Sequence, residues 1–175
     1  MPDPDAIDDP MRDRILRATF KVLCRHGYGK LNLSDVAAQA GISRPTLYKS
    51  FKSKDELLSA FSEFELELLR HDLDRAIAGR RGRDRVDALL DFLVDFYTSY
   101  QMRGLIEIEP SLVLEQMTTS LPVLVDLVVP VLAKQVPDPE TVAQALVRLS
   151  LCHYLIPGYD DDRMLEQLRA AVGVR

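Results

Sequence analysis

Apolar residues return at intervals of three and four along almost the whole chain, and no stretch sustains the period-two alternation of a half-buried strand. The pattern predicts an all-α protein of about nine helices. Ile15, Ala18 and Val22, flanked by Leu16, Phe20 and Leu23, give a broad apolar face to a first helix that starts at Asp9 and Pro10 and runs to Gly27. Asn32 caps a second helix of two turns, with Asp35 at the reciprocal spacing and Gly41 as its stop. Ser43 caps a third, with Pro45 in its first turn and Leu47 and Phe51 turned inward. Ser53 and Glu56 have the spacing of a capping box for a long fourth helix, carried by Leu57, Phe61, Phe64, Leu68, Leu69, Leu73 and Ile77 to Gly79.

Beyond Gly79 the punctuation is looser. The arginine-rich residues 80–85, broken by Gly82, predict a solvated loop. A fifth helix follows from 84 to about 102 on Val86, Leu89, Leu93, Tyr97 and Tyr100. Pro110 opens a sixth, Ser120 with Pro122 a seventh, and an eighth spans 140–156. After Pro157 and Gly158 a ninth runs from about 160 to 172. Pro130, inside the seventh, removes the hydrogen bond to the Asp126 carbonyl and predicts a kink.

Composition adds little until it is divided along the chain. The 175 residues carry a net charge of -5, which argues against a general polyanion binder. Residues 1–10, however, hold four Asp and no base; residues 11–54 hold ten Lys and Arg against Asp13 and Asp35, a balance of +8; the remainder is at -9. A basic quarter joined to acidic flanks points to nucleic acid. The first ten residues have no basic n-region and no apolar h-region, so they predict a solvated, disordered acidic leader rather than a targeting signal. The nearly apolar run 121–133 is too short to cross a bilayer, so no membrane role is expected. Cys24 and Cys152 stand far apart and predict reduced core thiols in a cytoplasmic protein.

The segment 34–51, SDVAAQAGISRPTLYKSF, has the spacing of a helix-turn-helix. Ala37 lies where two helices cross and little beyond a methyl fits, Gly41 takes a turn wanting φ > 0, and Val36, Ile42 and Leu47 close the small core. Arg44, Pro45, Thr46, Tyr48, Lys49 and Ser50 are thereby turned largely outward, with donors and no carboxylate, in the geometry of a major-groove reader. Alanine-glycine spacing of this kind also arises from tight helix packing alone; the coincident basic block favours the DNA reading.

Residues 12–61, containing NLSDVAAQAGISRPTLYKSFKSKDELLSAF, resemble the N-terminal domain of TetR-type helix-turn-helix transcriptional repressors. The resemblance implies a repressor that binds a palindromic double-stranded operator as a homodimer and is released by a small-molecule effector. It implies a division into the leader 1–10, a DNA-binding domain 11–55 and an effector-binding and dimerisation domain 56–175. It also implies that Tyr48 and Lys54 grip phosphates. Asn32 stands where the family often has Thr, and Ser34 where it often has Arg, so a phosphate clamp is reduced there to a hydroxyl contact. The expected DNA-contacting set is Asn32, Ser34, Ser43, Arg44, Pro45, Thr46, Tyr48, Lys49 and Lys54. Arg44 has the geometry for guanine O6 and N7, and Pro45 and the Thr46 methyl for a thymine methyl.

The acidic remainder supplies the other two roles. Val142, Leu146, Leu149 and His153 line one side of the eighth helix, opposite Ala143, Val147 and Tyr154; with Leu165, Leu168 and Val172 of the ninth they form the expected dimer interface. Phe92, Phe96, Tyr97, Tyr100, Met117 and Leu124, with the polar groups of Gln101, Glu115, Gln116 and His153, form the expected site for an apolar effector. The Pro130 kink is expected to make room for it, and its binding to tilt the fourth helix. No cofactor, metal or catalytic group is expected: His26, His71 and His153 are isolated, and the glycines of Gly27-Tyr28-Gly29-Lys30 lack phosphate-loop spacing. Asp160, Asp161 and Asp162 read as cap and dipole partners. The competing class is an all-helical small-molecule binder or enzyme that never contacts DNA, which a salt series of duplex affinity separates from a regulator.

Overall fold

The computed structural model describes residues 10–100, 104–156, 158 and 161–173. They are helical and contain no strand: α1 Pro10–Lys30, α2 Leu33–Ala40, α3 Arg44–Ser50, α4 Lys54–Ile77, α5 Gly82–Ser99, α6 Gly104–Ile108, α7 Pro110–Leu132, α8 Pro139–Leu155 and, after a 3-10 turn at Asp161–Arg163, α9 Met164–Val172. Two compact units meet between Leu68 and Leu69, within α4.

In the first unit α1 buries Ile15, Leu16, Ala18, Val22 and Leu23, and the one polar side chain among them, Thr19, is satisfied by donating to the Ile15 carbonyl at 2.9 Å. Gly27, the expected end of the helix, takes φ 78° and ψ 174°; it marks a kink, and helical residues follow it to Lys30. Asp9, the expected cap, lies outside the described residues.

The caps of the next helices follow the local chemistry. Asn32 Oδ1 accepts the Asp35 N–H at 2.9 Å, while its Nδ2 donates to Asp35 Oδ2 at 2.6 Å. At the other end of α2, Gly41 adopts φ +64°, its N–H donates to the Ala38 carbonyl at 3.1 Å, and the Ile42 N–H reaches Ala37 at 3.0 Å, the two bonds of a Schellman motif. Ser53 Oγ accepts from the Glu56 N–H at 3.1 Å, but Glu56 returns its carboxylate to the Lys52 N–H, at 2.7 Å, rather than to Ser53.

Gly41 tolerates a side chain poorly. A Cβ there meets Arg14 Nη2 at 2.9 Å, and an L-residue at that φ is strained. Gly41→Ala is expected to cost about 1–2 kcal/mol from the left-handed backbone alone, read as a lower urea midpoint at unchanged slope.

The second unit has one core, built from Leu73 and Ile77 of α4, Val86, Leu89, Leu90 and Leu93 of α5, Val125, Val128, Val131 and Leu132 of α7, Ala143, Leu146, Val147 and Tyr154 of α8, and Met164 and Leu168 of α9. Four expectations change here. The stretch 80–85 is a loop only to Arg81, because α5 begins at Gly82; α5 then ends at Ser99, not near 102. A one-turn helix, α6, was not predicted. The expected sixth and seventh helices are one helix, α7, which runs through Ser120 and Pro122. The apolar stripe Val113, Met117, Leu121, Val125, Val128 and Leu132 passes uninterrupted beneath them, while Pro122 and Pro130 lie on the exposed side, where the missing N–H and the crowding of the carbonyl four residues back do not disturb the buried stripe. Pro130 sits two residues from the end of α7, so any kink is confined to its last turn.

All but the last residue of the run 121–133, too short by itself to cross a bilayer, belongs to the 23-residue α7, which is long and apolar enough to do so by length and composition. Within this unit Val113, Val125, Val128, Val131 and Leu132 of the same helix are buried.

Candidate nucleic-acid interface

The helix α3 is held by its inner side and its two ends. Leu47 and Phe51 are fully buried, the Phe51 N–H closes the helix on the Leu47 carbonyl at 2.9 Å, and the Arg12 guanidinium lies 4.9 Å from the Phe51 ring centroid. At the start, Ser43 Oγ accepts from the Thr46 N–H at 3.2 Å and is 2.8 Å from Thr46 Oγ1. With these anchors fixed, Arg44, Pro45, Tyr48 and Lys49 are all exposed, Tyr48 at 50%. No carboxylate lies on α3 itself, so the outward face presents cations, a phenol and an apolar ring to whatever approaches it.

The other expected DNA contacts are placed less freely. Thr46 is half-buried and its hydroxyl is engaged with Ser43; Ser34 is half-buried in the first turn of α2; and both polar atoms of the Asn32 side chain are engaged with Asp35. The Lys54 ammonium donates to the Tyr28 and Gly29 carbonyls, the latter at 3.2 Å, tying the start of α4 to the end of α1. One residue escaped the sequence reading altogether. Arg14 donates through Nε to the Ala40 carbonyl at 2.6 Å and through Nη2 to Gly41 at 3.0 Å, a clamp on the end of α2 from a residue 26 positions away. Only contact geometry reveals it.

In the second unit the expected effector residues separate into two groups. Phe92, Phe96, Tyr97 and Tyr100 are packed ring against ring: Phe96 lies 6.1, 5.1 and 5.1 Å from Phe92, Tyr97 and Tyr100, and Tyr154 lies 6.1 and 5.8 Å from Tyr97 and Tyr100. Burial, and then the neighbouring Tyr154, push the Tyr97 phenol well above the usual tyrosine range, so it is a neutral donor at physiological pH. Met117 and Leu124 pack against this core. Glu115 and Gln116 do not: both are exposed on α7, on the opposite side from its buried stripe, and are corrected as effector contacts within this unit. His153 Nε2 is paired with Gln167 Oε1 at 2.8 Å, joining α8 to α9. Gln101 lies outside the described residues, as do Met102 and Asp160.

The expected dimer residues divide similarly. Leu146 and Leu168 are fully buried in the core of their own unit, so no second copy reaches them, and both are corrected. Val142, Leu149, Leu165 and Val172 are half-buried, in line with exposed Ala145, Cys152 and Ile156. Cys152 is therefore not the core thiol expected; Cys24 is half-buried, and burial and then Glu65 raise its thiol pKa. Among the described residues no group of three or more His, Cys, Asp or Glu is placed to hold a metal.

Comparison with known proteins agrees with this arrangement. Residues 15–61 match the family described as bacterial regulatory proteins, tetR family. The chain is 34% identical over 83 residues to the uncharacterized HTH-type transcriptional regulator YvdT of Bacillus subtilis, 47% of this chain and 41% of that protein. It is 30% identical over 96 residues to the HTH-type transcriptional activator FasR of Mycolicibacterium smegmatis, 50% of this chain and 41% of that one. The match thus spans about two fifths of the length of these curated relatives. Among solved structures, a TetR transcription regulator from Haloarcula marismortui superposes with a TM-score of 0.72 at 17% identity, covering 93% of this chain and 96% of that one. SmeT in complex with triclosan superposes at 0.67 and 21%, covering 93% and 91%. Residues 15–61 of this chain are a helix-turn-helix domain of the tetR family, carried in a protein with the fold of TetR-type regulators.

Proposed function

We propose that this DNA-binding transcriptional regulator is a cytoplasmic repressor that binds a palindromic operator as a homodimer and leaves it when a small apolar molecule binds the second unit. The observation that carries the DNA half of this proposal is the outward face of α3, where Arg44, Pro45, Tyr48 and Lys49 stand exposed over a buried Leu47 and Phe51 with no acid among them. Tyr48, and the donor of the Lys54 ammonium left over from the Tyr28 and Gly29 carbonyls, add phosphate contacts beside the base-reading residues. A single helix-turn-helix reads too few base pairs for useful selectivity, and a symmetric pair spaced by one turn of the duplex doubles the site.

The apolar effector is supported by the cluster of Phe92, Phe96, Tyr97 and Tyr100, with half-buried Met117 and Leu124 packed against the same core, Met117 being an unbranched side chain that repacks readily, and by the solved complex of the similar SmeT with triclosan. The helix α4 is shared by both units and is the covalent route by which such binding reaches the DNA-contacting residues.

Selection of bound fragments from random duplex DNA tests the proposal: an inverted repeat is expected, and the absence of any enriched sequence sinks it. On the selected operator, Arg44→Ala is expected to lose about 1–3 kcal/mol of discrimination at one base pair. Lys54→Ala should weaken selected and scrambled duplexes alike; equal losses on both duplexes for both variants would contradict this division. For the effector, apolar aromatic compounds are expected to raise the melting temperature while lowering operator affinity, and transcription from a promoter carrying the operator is expected to rise when the protein is removed.

A further inference from the structure

Alongside the recognition helix, the first unit holds a cleft of about 460 Å³ between α1 and the end of α2, lined by Asp13, Arg14, Arg17, Lys21, Gln39 and Ala40. Its cations belong to a stripe. Arg14, Arg17, Lys21 and Arg25 are spaced by three, four and four along α1, so they share the face opposite the buried Ile15, Leu16, Val22 and Leu23, and all four are exposed.

A basic stripe on a helix is ordinarily solvated and interleaved with acids. Three exposed arginines elsewhere follow that habit: Arg75 pairs with Asp72 and Arg83 with Asp87 on their own helices, and Arg163 of the 3-10 turn pairs with Glu166 of α9. The α1 stripe departs from the habit. Among the described residues none of Arg14, Arg17 and Lys21 pairs with a carboxylate, and the one acid lining the cleft, Asp13, is half-buried in the first turn of α1, where it complements the helix dipole. Arg14 spends two donors on the Ala40 and Gly41 carbonyls. Arg17 lies 5.4 Å from the Phe64 ring centroid, which steadies the guanidinium by its face, and among the described residues neither its N–H groups nor the Lys21 ammonium has a hydrogen-bond partner.

The cleft is also close to the face that reads bases. Arg14 grips Gly41, and Gly41 is three residues from Arg44, the first residue of α3. Three residues reach at most about 11 Å, the axial rise of about three phosphates on one strand.

We propose that the α1–α2 cleft is a sequence-independent binding site for the duplex phosphate backbone beside the recognition helix, with Arg17 and Lys21 as the phosphate contacts and Arg14 as the residue that positions α1 against the turn. The proposal rests on the chain's being a DNA-binding regulator.

The test is the salt dependence of affinity for the full chain, on a selected operator and on a scrambled duplex, between 50 and 200 mM salt. R17Q/K21Q is expected to flatten the slope of log affinity against log salt by about 1.8, since each lost phosphate contact removes about 0.9, and to leave the ratio between the two duplexes unchanged. K21Q alone, which disturbs no packing, is expected to remove about half of that. R75Q/K134Q, which deletes the same charge elsewhere, leaves the slope as it is. An unchanged slope in both α1 variants overturns the proposal, as does a changed ratio, which would mean base reading. Stabilisation of the wild type, but not of R17Q/K21Q, by tripolyphosphate without DNA, together with an unchanged slope, overturns it in favour of a free polyphosphate. If the wild type shows no salt-dependent duplex binding, the regulator proposal falls first and takes this one with it.

Discussion

Phe51→Ala is expected to remove about 3–5 kcal/mol of stability, and with it duplex binding at 37 °C. The ring is fully buried, it ends α3 at the point where its own N–H closes the helix on Leu47, and it carries the Arg12 guanidinium on its face. Truncation leaves a cavity under the recognition helix that the fully buried Leu47 cannot fill without moving α3, and it strips the cation of its ring. Natural domains hold only about 5–15 kcal/mol in reserve, so a loss of this size consumes about a fifth of it at the least and most of it in a marginal domain. The effect is read by urea unfolding followed by circular dichroism, since the chain has no tryptophan. Tyr48→Ala, three residues back on the exposed side of the same helix, should stay within about 0.5 kcal/mol of the wild type while losing affinity for DNA. A loss below about 1 kcal/mol for Phe51→Ala would mean that α3 is not anchored by that ring.

The contrast between these two residues explains why the first unit was legible in the sequence. Its element boundaries are set by signals that act within four residues. Asn32, Ser43 and Ser53 offer side-chain oxygens to N–H groups three positions on, and Gly41 supplies the positive φ that ends α2. Such signals survive being read without a structure. What stayed hidden is what depends on a distant partner. Arg14 is indistinguishable in sequence from any exposed arginine until Ala40 and Gly41 arrive beside it, and nothing local in the sequence shows that the Lys54 ammonium gives two of its three donors to the carbonyls ending α1.

In the second unit packing decides two things that the local sequence does not. Ser120 with Pro122 is a sound local start signal, yet the apolar register of α7 continues through it, and burial of that stripe outweighs the hydrogen bond a proline forfeits on the solvent side. Periodicity also says which positions of a helix are apolar, never which of two apolar sides its own chain covers. Leu146 and Leu149 are both apolar and a turn apart, but the first is sealed in the core and the second is not.

That distinction makes the second large prediction. Around α8, Ala143, Leu146, Val147, Ser150, Leu151 and Tyr154 are buried by their own unit, whereas Val142, Ala145, Leu149, Cys152 and, just beyond the helix, Ile156 form a second strip that is half or fully exposed, Ile156 at 70%. On α9, Leu165 and Val172 are likewise only half-covered. A continuous apolar strip on a water-facing helix is the signature of a surface that meets another, and a two-fold axis lets it meet its own copy, each residue facing its counterpart region. Leu149→Asp would then place two carboxylates in that contact, one from each chain, with no described cation of α8 nearer than the exposed Arg148. The expected result is a shift in sedimentation from twice 19.8 kDa to 19.8 kDa, and a fall in operator affinity of about 100-fold or more as two linked half-site contacts become independent. Leu146→Ala separates this from damage to the fold: it should cost about 2–5 kcal/mol of stability, yet leave the folded fraction dimeric. If Leu149→Asp sediments as the wild type does, the outer strip of α8 is not the interface, and the palindromic mode of binding loses the contact that would hold its two halves together.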